Sequence, residues 1–209
     1  PAAGEADPRI TPEDHVIQTA VADIFAPAQE DGRSVEEVFD ATIRPPLFPV
    51  TLDRLPGTIR FHDTSDGEFM VGGVKVTSRL VPHIGPTLGY RVEWGGRSIA
   101  YLSDHQQPYD GSFAVSDGAR EIARGADLLI HDSQYTPHEF AMKATWGHCT
   151  VDYAVWLAQE CGVRTLALFH HDPTRNDDAL DELHRCAATF GGRHGVKVIA
   201  AAEGLTVEV

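Results

Sequence analysis

The stretch Arg97-Ser98-Ile99-Ala100-Tyr101-Leu102-Ser103-Asp104 sets the reading of the chain. Its apolar centre is too short for a buried helix and suits a strand, and it ends on a carboxylate. Gly95-Gly96 precedes it, and Thr87–Trp94 lies before that, so the two segments form a hairpin. Further upstream, Thr58–His62, Glu68–Val71 and Val74–Val81 are also β-rich, with Gly72-Gly73 as a turn. After Asp104 the pattern changes to alternating helix and strand. Helices are predicted over Val115–Arg124, over Val151–Glu160 (capped by Thr150 and closed by Gly162), and over Asp177–Phe190, ended by Gly191-Gly192. Strands are predicted at Asp127–His131, Thr165–Phe169, Val196–Ala200 and Leu205–Val207. Antiparallel hairpins followed by β-α-β units imply an α/β fold with a mixed, mostly antiparallel sheet flanked by helices.

Upstream of this core the sequence differs in character. Thr11-Pro12-Glu13-Asp14 has the signals of a helix start, and that helix is expected to reach about Phe25. Ser34-Val35-Glu36-Glu37 is a capping box that opens a second helix to about Ala41. Four prolines between residues 44 and 57 mark an irregular connection. Residues 1–57 are therefore read as a helical and irregular cover or dimer element, which leaves a homodimer open, and residues 58–209 as the main domain.

Composition narrows the function classes. Hydrophobic residues make up 42% of the 209, enough for a packed core. No apolar run approaches the roughly 20 residues of a membrane span. The start lacks a basic segment followed by an apolar one, and Cys149, Cys161 and Cys186 are an odd set without CxxC spacing. A reducing, cytoplasmic setting without membrane attachment follows from these features. The formal net charge of −14 opposes long-range attraction of a nucleic acid backbone, although bound cations would dominate the local field of a metal site. No G-x-S-x-G elbow and no G-x-G-x-x-G turn occurs, which disfavours serine hydrolases and Rossmann oxidoreductases.

Four places set a His or Asp just past an apolar strand or beside a helix start. They are Leu80-Val81-Pro82-His83, Tyr101-Leu102-Ser103-Asp104, Trp146-Gly147-His148-Cys149-Thr150 and Leu168-Phe169-His170-His171-Asp172-Pro173. Each alone also fits a turn former or a solvated side chain. Together they supply imidazole and carboxylate in the mixture that suits zinc. His131-Asp132 ends a further strand and fits either a plain turn or a carboxylate that orients a ligand His. His105, His138, His184 and His194 are expected on the surface, and Cys161 and Cys186 in the core.

These runs, with Asp127-Leu128-Leu129-Ile130-His131-Asp132-Ser133-Gln134-Tyr135, resemble the metallo-β-lactamase-fold hydrolases over roughly residues 74–209. The branch is that of ribonuclease Z-like and cyclic-nucleotide-phosphodiesterase-like enzymes. The resemblance implies an αββα fold and a dinuclear zinc site, with manganese or iron as alternatives. By similarity His83 and His170 would be metal ligands, with His171 as the rival of His170. Asp104 would bridge the metals, and His148 would assist catalysis. Arg175 and His171 are candidates for substrate contact. For Arg175 a solvated partner of Asp177 and Asp178 is the favoured alternative, and Lys143 has the same two readings. The family's His-x-His-x-Asp-His run is absent, so the resemblance implies a C-terminal portion whose N-terminal half, carrying the other ligands, is missing. The expected activity is a metal-dependent hydrolase, a phosphodiesterase acting on a small-molecule or phosphodiester substrate. A lactonase or ester hydrolase of the same fold and a metal-free scaffold are the alternatives.

Overall fold

A computed structural model describes residues 20–209 and divides them into two compact units, one ending at Thr64 and the other spanning Ser65–Val209. The division falls a few residues past the boundary expected after residue 57. In the first unit, β1 (Val21–Ala26) pairs in parallel with β2 (Thr58–Asp63). The helix expected from Thr11 to Phe25 is corrected here. Residues 11–19 lie outside the described residues, and the remainder is strand, because Val21, Ile24 and Phe25 are β-formers ahead of Pro27. Helix α1 (Val35–Thr42) begins at the expected capping box: Ser34 Oγ accepts from Glu37 N, and Glu37 Oε2 accepts from Ser34 N.

The second unit is one seven-stranded sheet in sequence order: β3 (Gly67–Val71), β4 (Val74–Leu80), β5 (Leu88–Trp94), β6 (Arg97–Leu102), β7 (Leu128–Asp132), β8 (Thr165–Phe169) and β9 (Lys197–Ala200). Pairing is antiparallel from β3 through β6, as the hairpin signals predict, and parallel from β6 through β9. The antiparallel character expected of most of the sheet thus holds for its first half. Between the later strands run α2 (Asp117–Ala123), α3 (Pro137–Lys143), α4 (Val151–Glu160) and α5 (Asp177–Arg193). Leu102, Ile122, Leu129, Tyr153, Leu157 and Leu166 share one core with almost no exposed surface. Each such aliphatic side chain stabilises the fold by roughly 1.5–3 kcal/mol.

Three local expectations are revised. Helix α5 runs through Gly191-Gly192 instead of stopping there. A Cβ at Gly191 would lie 2.6 Å from Val198 Cγ2, so this glycine lets the helix approach β9; the chain leaves the helix at Gly195, where φ is +77°. Leu205–Val207 forms no strand: Leu205 is half exposed and its N–H bonds locally to Ala202. Helix α3 was not expected, although Thr136-Pro137-His138-Glu139 carries a capping box with Pro in the first turn. Among the described residues no helix is long and apolar enough to cross a membrane.

Candidate metal centre

Strands β6, β7 and β8 run parallel, so their C-terminal ends meet at one edge of the sheet. Strand β4 is antiparallel to β5, which is antiparallel to β6, so β4 ends at that edge too. His83 follows β4, Asp104 follows β6, Asp132 ends β7 and His170 follows β8. This is the edge at which open α/β sheets carry reactive groups.

The side chains converge. His83 Nε2 and His170 Nδ1 each lie 3.8 Å from Asp104 Oδ1, too far for a hydrogen bond and near enough to share a cation. The ring of His148 stands 5.8 Å from that of His83 and 4.7 Å from that of His170. Potential ligand atoms within 4.8 Å of one another define two groups, His83–Asp104–His148 and Asp132–His148–His170. Three imidazoles and two carboxylates form the donor set that zinc accepts, although the oxygens of Asp132 already accept protein hydrogen bonds. The residues present therefore fit part of a metal centre. His83 Nδ1 donates to the Ile84 carbonyl at 3.1 Å, which leaves Nε2 free to face Asp104.

His148 is held differently. Its Nδ1 donates to Asp132 Oδ2 at 2.7 Å, and Asp132 is fully buried. Oδ1 of the same carboxylate accepts from the backbone N–H of Gln134 and Cys149. Burial works against a charged His148, but the Asp132 hydrogen bond and the nearby charges of Asp132, Asp104 and Asp172 outweigh it and raise its pKa above the ordinary histidine value. Asp132 thus orients an imidazole, and that imidazole is His148.

Two backbone features set the geometry. Gly147 has φ +97°, and a Cβ there would fall 2.6 Å from His83 Nε2, so only glycine admits this approach. His170 is the described non-glycine residue with positive φ, +57°, which turns its ring off the end of β8. His171, its rival, is directed elsewhere: Nε2 donates to the Ala201 carbonyl at 3.2 Å, and burial lowers its pKa.

The cations expected near substrate are already engaged. Arg175 bonds Glu139 at 2.6 Å and the Gln134 carbonyl at 3.0 Å, with its side chain almost buried. Lys143 bonds Asp172 at 3.0 Å and lies over the Tyr135 ring. Bonds from Thr174 and Lys143 hold the Asp172 carboxyl well below the usual range.

Sequence reasoning missed the residues behind this edge. His105, expected on the surface, is fully buried and bonded through Nδ1 to His131 Nε2 at 2.9 Å. Gln106 and Gln107 are buried and latch the 147–150 loop: Gly147 N donates to Gln106 Oε1 at 2.7 Å, and the Thr150 N–H and hydroxyl donate to Gln107 Oε1. The available signal was three polar residues following Asp104 without a turn former. Cys161 is buried as expected, whereas Cys186 is exposed because it lies on the outer face of α5.

The sequence model of the β-lactamase superfamily domain matches residues 21–171. The chain belongs to this family. The match begins well upstream of residue 74, where the motif resemblance starts. A ribonuclease Z of Brevibacillus brevis is 36% identical over 73 residues, covering 35% of this chain and 23% of that one. A ribonuclease Z of Synechococcus is 29% identical over 163 residues, covering 70% of this chain and 48% of that one. The chain thus spans about half or less of the length of these curated relatives. Among solved structures, the metallo-β-lactamase fold protein YhfI of Bacillus subtilis aligns with a TM-score of 0.64 at 18% identity, over 88% of this chain and 64% of that one. A diphosphatase of the PhnP family aligns at 0.59 and 21%, over 97% and 63%. The family's metallo-β-lactamase fold is the fold of this chain.

Proposed function

We propose that the chain carries part of the dinuclear zinc centre of a hydrolase that cleaves phosphodiesters. The observation that carries this reading is the convergence of His83, Asp104, His148 and His170 at one sheet edge, with ligand atoms left free of other partners. His83 and His170 would hold one metal each, and Asp104 would bridge the two. Zinc suits the donors, and manganese or iron would also be accepted. Because the sequence contains no His-x-His-x-Asp-His run, the remaining ligands are assigned to residues outside this chain. When bound, such a centre brings a coordinated water to a pKa near 7 and polarises the phosphoryl oxygen.

The chain's own residues do the rest. Asp132 fixes the tautomer and orientation of His148, so that Nδ1 carries a proton and Nε2 faces the cluster. The raised pKa favours a second proton, on Nε2, which His148 would deliver to the departing oxygen. The short Gly147 turn and α4, whose N-cap is Thr150, place that imidazole beside a helix N-terminus that favours an anion. The ribonuclease Z relatives support a phosphate ester over a lactone. Metal analysis of the complete protein should find close to two zinc ions per chain, with turnover of bis-p-nitrophenyl phosphate exceeding that of a lactone. Absence of bound metal, or preference for the lactone, would overturn the proposal.

A further inference from the structure

A cavity of about 350 Å³ lies between the 107–113 loop, α3 and the first turn of α4. Three aromatic residues line it: Tyr109 and Phe113 from the loop, and Phe140 from α3. Phe140 is buried. Phe113 rests against Tyr153 and Trp156 and keeps nearly half of its surface exposed, and Tyr109 is largely exposed. Two carboxylates, Asp110 and Asp152, belong to the same lining, and no Lys, Arg or His does.

The two acids differ in their partners. Asp110 is satisfied within its own loop: the Ser112 hydroxyl and N–H lower its pKa, the N–H donating to Oδ1 at 2.9 Å. Asp152 has no such support. Among the described residues its carboxylate makes no hydrogen bond and no ion pair. Partial burial raises its pKa, with no neighbouring positive charge to oppose the shift. The first turn of α4 favours an acid through the helix dipole but supplies no counter-ion. The other polar groups of the lining are engaged. Gln107 Oε1 accepts from the Thr150 N–H and hydroxyl, Gln107 Nε2 donates to the Gly111 carbonyl, and Thr150 Oγ accepts from the Tyr153 N–H.

We propose that this cavity binds a small quaternary ammonium ion, its methyl groups against Tyr109, Phe113 and Phe140 and its charge balanced by Asp152. Aromatic faces attract a cation, and the attraction grows as the cation is desolvated. A primary ammonium would bring three N–H donors to a lining with one unoccupied carboxylate, and donors left unpaired on losing water are costly. Methyl groups make no such demand. The net charge of −14 also draws cations from solution and repels anions. The site uses none of the metal-centre residues, so it stands or falls independently of the phosphodiesterase reading.

The test is an NMR titration of the complete protein with choline, ethanolamine and 3,3-dimethylbutan-1-ol. The alcohol has the shape of choline without its charge, and ethanolamine keeps the charge but carries N–H groups in place of methyls. Choline should bind at least about tenfold more tightly than the alcohol and roughly threefold or more tightly than ethanolamine, and should shift the ring resonances of Tyr109 and Phe113. Asp152→Asn keeps the shape of the side chain and should weaken choline binding about tenfold while leaving the alcohol unaffected. Tyr109→Leu, at an exposed loop position, keeps apolar bulk without the aromatic face and should weaken choline by roughly threefold or more. No binding of choline, equal binding of choline and the alcohol, tighter binding of ethanolamine, or choline affinity unaltered by Asp152→Asn would overturn the assignment.

Discussion

The two edges of the parallel strands β6, β7 and β8 are built on opposite rules. At the N-terminal edge charges are cancelled: Asp127 accepts from the Ser98 N–H and hydroxyl and pairs with both Arg97 and Arg164. Its carboxyl is held below the usual range, chiefly by the Ser98 N–H, with Arg164 and Arg97 adding to it. At the C-terminal edge Asp104 lies 3.8 Å from two imidazoles and, among the described residues, hydrogen-bonds only its neighbour Ser103. One edge satisfies its charges inside the protein, and the other withholds ligand atoms for something to be bound. A carboxylate just outside a strand therefore carries little functional meaning until its partners are counted.

The contrast can be broken most sharply by Asp104→Ala in the complete protein. Activity should fall by roughly 10³-fold or more, because the metals supply several kcal/mol of transition-state stabilisation, and bound metal should fall with it. Retained activity would falsify the bridging role. His148→Ala should lower turnover by about 10²-fold or more while metal content stays near normal. If the metal is lost instead, His148 is a ligand, as its place in both candidate groups allows. Asp132→Asn keeps an acceptor for His148 but removes the charge. Turnover should drop about 10–100-fold, and the alkaline limb of the pH profile should move down, since Asp132 helps to raise the His148 pKa. A profile left in place would detach Asp132 from the chemistry.

Much of the C-terminal edge was legible from one rule, that apolar strands delivering His or Asp to their C-terminal ends share an edge when they run parallel. His83, Asp104 and His170 follow from that rule with the strand order. The partners of Arg175 did not, because Glu139 is 36 residues away on a helix that the sequence reading left out. His105 was misplaced because a residue after a strand-ending Asp reads as turn, and its burial depends on His131 and Tyr153 from later elements. The φ of His170 has no local sequence signal, since only a few per cent or so of non-glycine residues, histidine among them, enter that region.

Smaller effects sharpen the comparison in stability. His105 and His131 are buried, and burial, with neighbouring imidazole charge in the case of His105, holds the pKa of each below the ordinary histidine value. As pH falls below about 6.5, the unfolded chain takes up protons that these imidazoles refuse in the native state. Stability should then decline by up to about 1.4 kcal/mol per pH unit for each, measured by urea unfolding between pH 7 and pH 5.5. Unchanged or rising stability would show that one of them is charged when folded. Asp127→Ala, at the cancelled edge, should lower Tm by a few degrees at most and leave kcat/KM and metal content unaltered. A loss of activity there would mean that the two edges are coupled through the strands.

The glutamine latch has its own bearing on how the enzyme would behave in different media. Gln106 and Gln107 clamp the 147–150 loop through neutral amide contacts, one of them only 2.7 Å long. Amides neither titrate near neutrality nor lose strength to an ionic atmosphere as exposed charge pairs do. The loop that carries His148 should therefore keep its alignment from dilute buffer to brine, so that salt sensitivity of catalysis would arise in the carboxylate charges acting on that imidazole or in substrate capture.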